Sequence, residues 1–296
     1  MIADKWTDYQ IIATGDGQKL ERWGNIILLR PDPQVIWPAQ TDLSKHKGLN
    51  AIYKRSDKGG GFWQKLTSLP DEWTIKYGDK SRYGGNILSF LIKPMGFKHT
   101  GLFPEQAANW DKMADLITKA KQSGKKDISV LNLFAYTGGA SIACAAAGAK
   151  VTHIDSAKGM VERAGNNAKL SGVGDKVRLI IDDCKKFVLR EIKRGNRYDA
   201  ILMDPPSYGR GPDGQMWKLE DNLFDLVKLT TQVLSDNPIF FLINSYTTGL
   251  QPTVIGNILS LALKHKKGSQ SAYELVLPTS EGIFLPCGCS GLWVGE

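Results

Sequence analysis

The chain has 296 residues, 42% hydrophobic and 23% charged, with 38 Lys and Arg against 30 Asp and Glu for a net charge of +8. That length holds one large domain or two modest ones, and the composition excludes collagen, coiled coil and general disorder. The longest apolar stretches, such as 141–149 and 238–243, fall short of the ~18 residues that cross a bilayer, so no membrane partner is expected.

The opening MIADKWTDYQ has no apolar block behind a basic end, which predicts no secretory signal. Four cysteines without a CxxC pair fit a reduced, cytoplasmic protein. Residues 1 to 98 read as a small β-rich domain. Segments 25–29, 51–54, 62–66, 73–77 and 87–92 are aromatic or branched, and turn signals such as Gly15-Asp16-Gly17 and Gly84-Gly85 separate them. The first 100 residues carry 15 Lys and Arg against 10 Asp and Glu. A polyanion such as RNA suits that bias, and plain solubility accounts for it equally. Tyr53, Lys54, Arg55, Lys58, Phe62, Trp63 and Lys65, around Gly59-Gly60-Gly61, form a basic and aromatic hairpin able to stack bases and meet phosphates. The alternative is a hairpin that packs its tryptophan into its own core.

Beyond Pro104 the pattern changes. Apolar spacing over 104–122 predicts a helix stopped by Ser123-Gly124. Apolar runs at 128–134, 151–154, 177–181, 200–203 and 239–243 then alternate with amphipathic stretches at 140–147, 158–170, 185–193, 222–234 and 254–263. Five such units predict an α/β fold with a parallel, doubly wound sheet, followed by two strands, at 272–277 and 292–294, that pair antiparallel. The expected domains are therefore 1–98 and 99–296.

In such sheets the ligand lies beyond the carboxyl ends of the strands, where strand order reverses. The first run leads into Phe134, Ala135, Tyr136, Thr137, Gly138 and Gly139, with Phe134 and Tyr136 where a dinucleotide fingerprint has glycines. Losing those glycines disfavours a pyrophosphate and leaves room for a smaller ligand. Asp155 closes the second run, where an acid can accept both hydroxyls of a ribose or cap the helix starting near Ser156. Asp182-Asp183-Cys184 closes the third. One acid there caps a helix, and Asp183 is the one expected to meet an adenine amine. Asp204-Pro205-Pro206-Ser207-Tyr208 closes the fourth. The prolines fix φ near −65° and remove two N–H groups, so an acid and carbonyls face the site as acceptors for a planar nitrogenous group.

Taken together these residues resemble class I S-adenosylmethionine-dependent methyltransferases, with their Rossmann-like sheet. More narrowly, they resemble the bacterial 23S ribosomal RNA base methyltransferases that make 5-methylcytosine or 7-methylguanine. The segment from Phe97 to Gln106, reading FKHTGLFPEQ, is similar to that group's sequence ahead of the sheet, and the resemblance covers about 85–296. It departs at Glu105, where the group has aspartate, and at Ala107, where it has arginine, and the separate RNA-binding domain of some relatives is not expected here. The resemblance implies S-adenosylmethionine as cofactor. Phe134, Tyr136, Thr137, Gly138 and Ser141 would wrap its amino-acid end, and Asp155 with Ser156 would hold the ribose. Asp183 and Cys184 would meet the adenine, with Gln106 over the cofactor. Asp204, Pro205, Pro206 and Tyr208 would face the methyl and the target base.

Cytosine C5 is a poor nucleophile and needs a cysteine thiolate added at C6 first. Neither 204–208 nor 243–249 contains cysteine, which disfavours C5 methylation and favours a base nitrogen of ribosomal RNA. A protein or small-molecule acceptor, or a cofactor-binding RNA module without turnover, are the alternatives. Cys287-Gly288-Cys289 is expected to be a packed pair, and no metal is expected. The 209–217 stretch is expected to be a long loop beside the target.

Overall fold

The structure, a computed structural model, describes residues 1–56, 60–96, 98–210, 216–247 and 249–296. Lys58, Gly59, Phe97 and residues 211–215, all named above, lie outside the described residues.

The first compact unit comprises Met1–Gly78, Ile87–Ala108 and Leu275–Cys287. Its five-stranded sheet runs in chain order: β1 (Tyr9–Gly15), β2 (Gln18–Trp23), β3 (Ile26–Pro31), β4 (Leu49–Arg55) and β5 (Gly61–Lys65). β3 and β4 are parallel and the other neighbours antiparallel. β6 (Trp73–Tyr77) and β7 (Leu88–Ile92) form a separate antiparallel pair. Asp16 and Gly17 join β1 to β2 at φ of +51° and +73°, the left-handed pair a two-residue hairpin requires.

β2 reads QKLERW and escapes a hydrophobicity search because its inward charge is paired. Glu21 is fully buried and takes Arg30 through Nε at 2.6 Å and a second guanidinium nitrogen at 2.9 Å, plus the Tyr9 hydroxyl at 2.6 Å. Burial pushes its carboxyl up, but Arg30 and Lys19 hold it down at about 2.

The second unit comprises Asp79–Asn86, Asn109–Glu274 and Gly288–Glu296, so compactness does not follow a single cut at residue 98. The Leu275–Cys287 segment belongs with the first unit because backbone bonds tie it there. Ala3 N–H donates to Val276 O at 3.1 Å, and Val276 N–H donates to Met1 O at 3.0 Å.

Its elements alternate as the apolar runs require: α1 (Ala107–Gln122), β8 (Ser129–Leu133), α2 (Gly139–Ala146), β9 (Lys150–Asp155), α3 (Lys158–Leu170), β10 (Val177–Ile181), α4 (Cys184–Arg194) and β11 (Ala200–Met203). In the stretch expected to be a loop, β12 (Tyr208–Arg210) pairs antiparallel with β13 (Met216–Lys218). Then follow α5 (Leu219–Thr230), β14 (Phe240–Ser245), α6 (Pro252–Ala262), β15 (Gly268–Pro278) and β16 (Phe284–Gly295), of which Leu275–Pro278 and Phe284–Cys287 fall in the first unit. The sheet order is β10-β9-β8-β11-β14-β16-β15, with the first five strands parallel and β16 antiparallel to β14. Every residue of β11 and β14 is buried, as a strand covered by helices on both faces must be. Leu131, Ile201, Phe241 and Ile243 pack there against Leu223, Val227, Ile255 and Leu259 of α5 and α6. At Gly139 a Cβ would lie 2.6 Å from the Trp110 ring, so only glycine lets α2 start this close to α1.

Candidate functional site

Strand order reverses at β8, which lies between β9 and β11. The tips of these strands and of β10 and β14 bring most of the anticipated residues into one sheet end.

The turn from β8 to α2 is the most constrained backbone there. Phe134, Tyr136 and Gly138 have φ of +55°, +50° and +88°. The first two stand where glycines were missing, and they adopt the left-handed conformation that glycine takes freely. A non-glycine residue pays roughly 1–2 kcal/mol for it. Neighbours on three sides over-determine the turn, which is how such strain persists at functional sites. Phe134 N–H donates to Cys184 Sγ at 3.3 Å, Ala135 N–H to Ile154 O at 3.0 Å, and Tyr136 N–H to an Asp155 oxygen at 2.8 Å.

Beneath the turn lies a buried polar set that sequence reading did not assemble. Asn132 Nδ2 donates to Ser141 Oγ at 2.8 Å, and that hydroxyl meets His153 Nδ1 at 3.0 Å. Asn167 Nδ2 donates to Thr137 O at 3.0 Å. Ser141, expected to touch the ligand, is fully buried, with its hydroxyl engaged by Asn132 and His153. Thr137 is likewise buried. Burial pulls the His153 imidazole down to about 4, and its Nε2 is buried with no hydrogen-bond partner.

Asp155 ends β9 half-buried. One carboxylate oxygen takes the Tyr136 N–H and the other takes Ala157 N–H at 2.9 Å, while Ser156 is exposed. A carboxylate has about four acceptor positions, so two remain for a diol. At the next tip, the helix cap falls on Asp183, the acid expected at the ligand. Its Oδ1 takes Lys186 N–H at 2.8 Å. Asp182 accepts the Asp183 N–H at 2.8 Å and pairs with Arg190. The Cys184 thiol is pushed up by burial and turns inward to Phe134.

At the fourth tip Asp204 Oδ1 accepts Asn244 Nδ2 at 3.1 Å. Pro205 is buried, Pro206 exposed, and Tyr208 is 64% exposed. The Pro206 carbonyl already accepts Trp217 Nε1 at 2.6 Å, and the Trp217 ring lies 6.1 Å from that of Phe134. Ser207 and Thr247 hydroxyls meet at 2.6 Å. Asn244 was not anticipated, and Trp217 only as the end of the stretch expected beside the target. Asn244 had a usable signal, a polar residue closing an apolar run in the same position as the acids.

Cys289 stands opposite Ser245 in the β14–β16 register, while Asn244 stands opposite Ser290. Alternate residues point to opposite faces, so Cys289 lies on the face away from Asp204. It is buried with Ile255 and Leu259, donates to Leu250 O at 3.2 Å, and burial pushes its thiol up to about 11. Gln106 lies in a single 3-10 turn, Pro104–Gln106, of the first unit. In that unit's β4–β5 hairpin, Lys54, Arg55 and Lys65 are exposed and Phe62 is 60% exposed. Trp63 turns inward, donating to Met95 O at 2.8 Å and touching the Tyr53 ring edge-on. Among the described residues no group of three or more His, Cys, Asp or Glu could hold a metal ion, and no helix is long and apolar enough to cross a membrane.

Residues 100–234 match a family model described as S-adenosylmethionine-dependent methyltransferase. The crystal structure of a SAM-dependent methyltransferase from Agrobacterium tumefaciens superposes with a TM-score of 0.88 at 30% identity, covering 100% of this chain and 94% of that one. The ribosomal RNA large subunit methyltransferase K/L of Shewanella frigidimarina is 27% identical over 245 residues, 79% of this chain and 31% of that protein. The protein of the same name from Allochromatium vinosum is 31% identical over 157 residues, 52% of this chain and 19% of its own. The chain thus spans a third or less of the length of these curated relatives.

Proposed function

This chain belongs to the S-adenosylmethionine-dependent methyltransferases, and we propose that it methylates a base nitrogen of ribosomal RNA. S-adenosylmethionine, when bound, supplies a methyl group already activated on a sulfonium. The residues at the strand tips fit such a group. The left-handed turn from Phe134 to Gly138 leaves a close backbone approach for its amino-acid end, and the Asp155 carboxylate, held by two N–H groups, is set to accept the ribose hydroxyls. Asp183 keeps acceptor capacity beyond its cap for the adenine amine, with the Cys184 backbone beside it. Ser156, beside Asp155, completes the set.

Asp204 orients the acceptor base, Pro205 and Pro206 stiffen its approach, and Tyr208 offers an exposed ring for stacking. Alignment of an activated methyl with a nitrogen lone pair can supply about 7–11 kcal/mol of the barrier without covalent help. The observation that carries the choice of nitrogen over cytosine C5 is that 204–208 and 243–249 hold no cysteine, while Cys289 packs on the face away from Asp204 and Cys144 is buried against Met113. The choice of ribosomal RNA is supported by the names of the two curated relatives and by the exposed Phe62, Lys54, Arg55 and Lys65. A cytoplasmic location follows from that substrate.

Calorimetry should show S-adenosylhomocysteine binding and no NAD binding. Mass spectrometry of ribosomal RNA nucleosides, with and without the gene, should then show one N-methylated base lost. An unchanged profile removes the RNA substrate in favour of a protein or small molecule. A lost 5-methylcytosine overturns the thiol argument.

A further inference from the structure

A chain of hydrogen bonds, directed one way, ends on Asp204. The Tyr273 hydroxyl donates to Asn109 Oδ1 at 2.8 Å, Asn109 Nδ2 donates to Ser290 Oγ at 3.0 Å, Ser290 donates to Asn244 Oδ1 at 2.8 Å, and Asn244 Nδ2 donates to Asp204 Oδ1 at 3.1 Å. Asn109 and Ser290 are fully buried and Asn244 is 1% exposed. The links come from four separate elements, α1, β14, β15 and β16, and converge on the end of β11.

An asparagine amide is nearly symmetric in shape, so packing alone does not choose which end faces a neighbour. If Asn244 rotated by half a turn, its carbonyl would face the Asp204 carboxylate, acceptor against acceptor. What opposes that rotation is the Ser290 proton on Asn244 Oδ1. Ser290 spends its proton there because Asn109 already donates to its oxygen. Asn109 presents its NH2 to Ser290 because Tyr273 donates to its carbonyl. The Tyr273 hydroxyl stays protonated, since burial raises its pKa. Hydroxyls can donate or accept, so the acceptor-only Asp204 carboxylate selects this direction, and the Tyr273 proton at the far end completes it by satisfying Asn109 Oδ1.

We propose that Tyr273, Asn109 and Ser290 are positioning residues that lock the flip of the Asn244 amide and, through it, the direction of the Asp204 carboxylate toward the acceptor. The inference rests on the reading of Asp204 as the residue that orients the target base.

The test uses the full chain with Tyr273→Phe and Ser290→Ala, and tritiated S-adenosylmethionine with protein-free, in-vitro transcribed 23S ribosomal RNA as the probe acceptor. Two further readouts are calorimetric affinity for S-adenosylhomocysteine and the side-chain 15N-amide signals of Asn244, assigned by their loss in Asn244→Ser. Tyr273→Phe removes one oxygen and should leave the fold intact. The expected result is a roughly 10-fold lower maximal rate with affinity for S-adenosylhomocysteine within twofold of the parent, and displaced Asn244 amide signals. A unit rate with unmoved Asn244 signals overturns the lock, as does a rate loss without any change at Asn244. If the parent protein transfers no methyl to this RNA yet binds S-adenosylhomocysteine, the substrate reading has failed separately. The Asn244 signals alone then decide: displaced in Tyr273→Phe they support the lock, unmoved they overturn it.

Discussion

The Asp155 carboxylate accepts the backbone N–H of Tyr136 at 2.8 Å, so the acid that ends β9 also pins the turn that ends β8. One side chain thereby serves both the shape of the turn and the proposed ribose contact. Replacing it with alanine should remove both. A hydrogen bond to a charged group contributes about 1.5–3 kcal/mol, so S-adenosylhomocysteine should bind roughly 10- to 100-fold more weakly to Asp155→Ala by calorimetry. Asp155→Asn keeps one acceptor oxygen and should lose less. Equal affinity in all three proteins would remove Asp155 from the site.

The left-handed backbone at Tyr136 makes a prediction about side-chain shape. A β-branched residue tolerates that conformation worst, and glycine best. Tyr136→Val should therefore be less stable than Tyr136→Gly by on the order of 1–2 kcal/mol in urea unfolding. If the two variants unfold together, the turn relaxes and stores no strain.

Asp183 combines a cap with a proposed ligand contact, and substitutions can separate the two. Asp183→Ala should cost about 1 kcal/mol of stability, while Asp183→Asn, which can still cap, should cost far less. Asp183→Asn should nonetheless bind S-adenosylhomocysteine several-fold more weakly, because the charge facing the adenine amine is gone. Parent-like affinity in that variant would confine Asp183 to the cap.

Acid should destabilise the protein in two windows. Burial lowers His153 to about 4, and burial with Arg30 and Lys98 nearby lowers His99 to about 4, against an ordinary 6.5. Unfolded chains take up those protons between pH 6.5 and 4 and the native state does not, so stability falls as pH drops through that range. Glu21, held at about 2 against an ordinary 4.5, keeps its contribution above pH 4.5 and loses it as pH falls toward 2. For His153 the loss is on the order of 2–3 kcal/mol. Urea midpoints at pH 7, 5.5 and 4.5 should decline steadily, and His153→Asn should flatten part of the slope. A pH-independent midpoint from 7 to 4.5 would show that both histidines become charged in the folded state.

The parallel sheet was legible because a strand buried on both faces must be apolar along its whole length, and 200–203 and 239–243 say so locally. The acids at the strand ends were legible for the same reason: Asp155, Asp182, Asp183 and Asp204 each interrupt such a run. The β1 and β2 strands were not legible. Glu21 and Arg30 look exposed until their pairing across two strands is known.

What the chain order alone determined was therefore period and punctuation, which depend on a few neighbouring residues. Only the tertiary structure decided that Phe134 and Tyr136 would stand in for glycines, that the cap would fall on Asp183, and that Tyr273, Asn109, Ser290 and Asn244 would lead to Asp204. Those last links join residues 164, 181, 46 and 40 positions apart. A hydrogen bond across such a distance leaves no mark on local hydropathy, because each partner keeps the polar identity it would have if exposed, and folding alone chooses which of them meet.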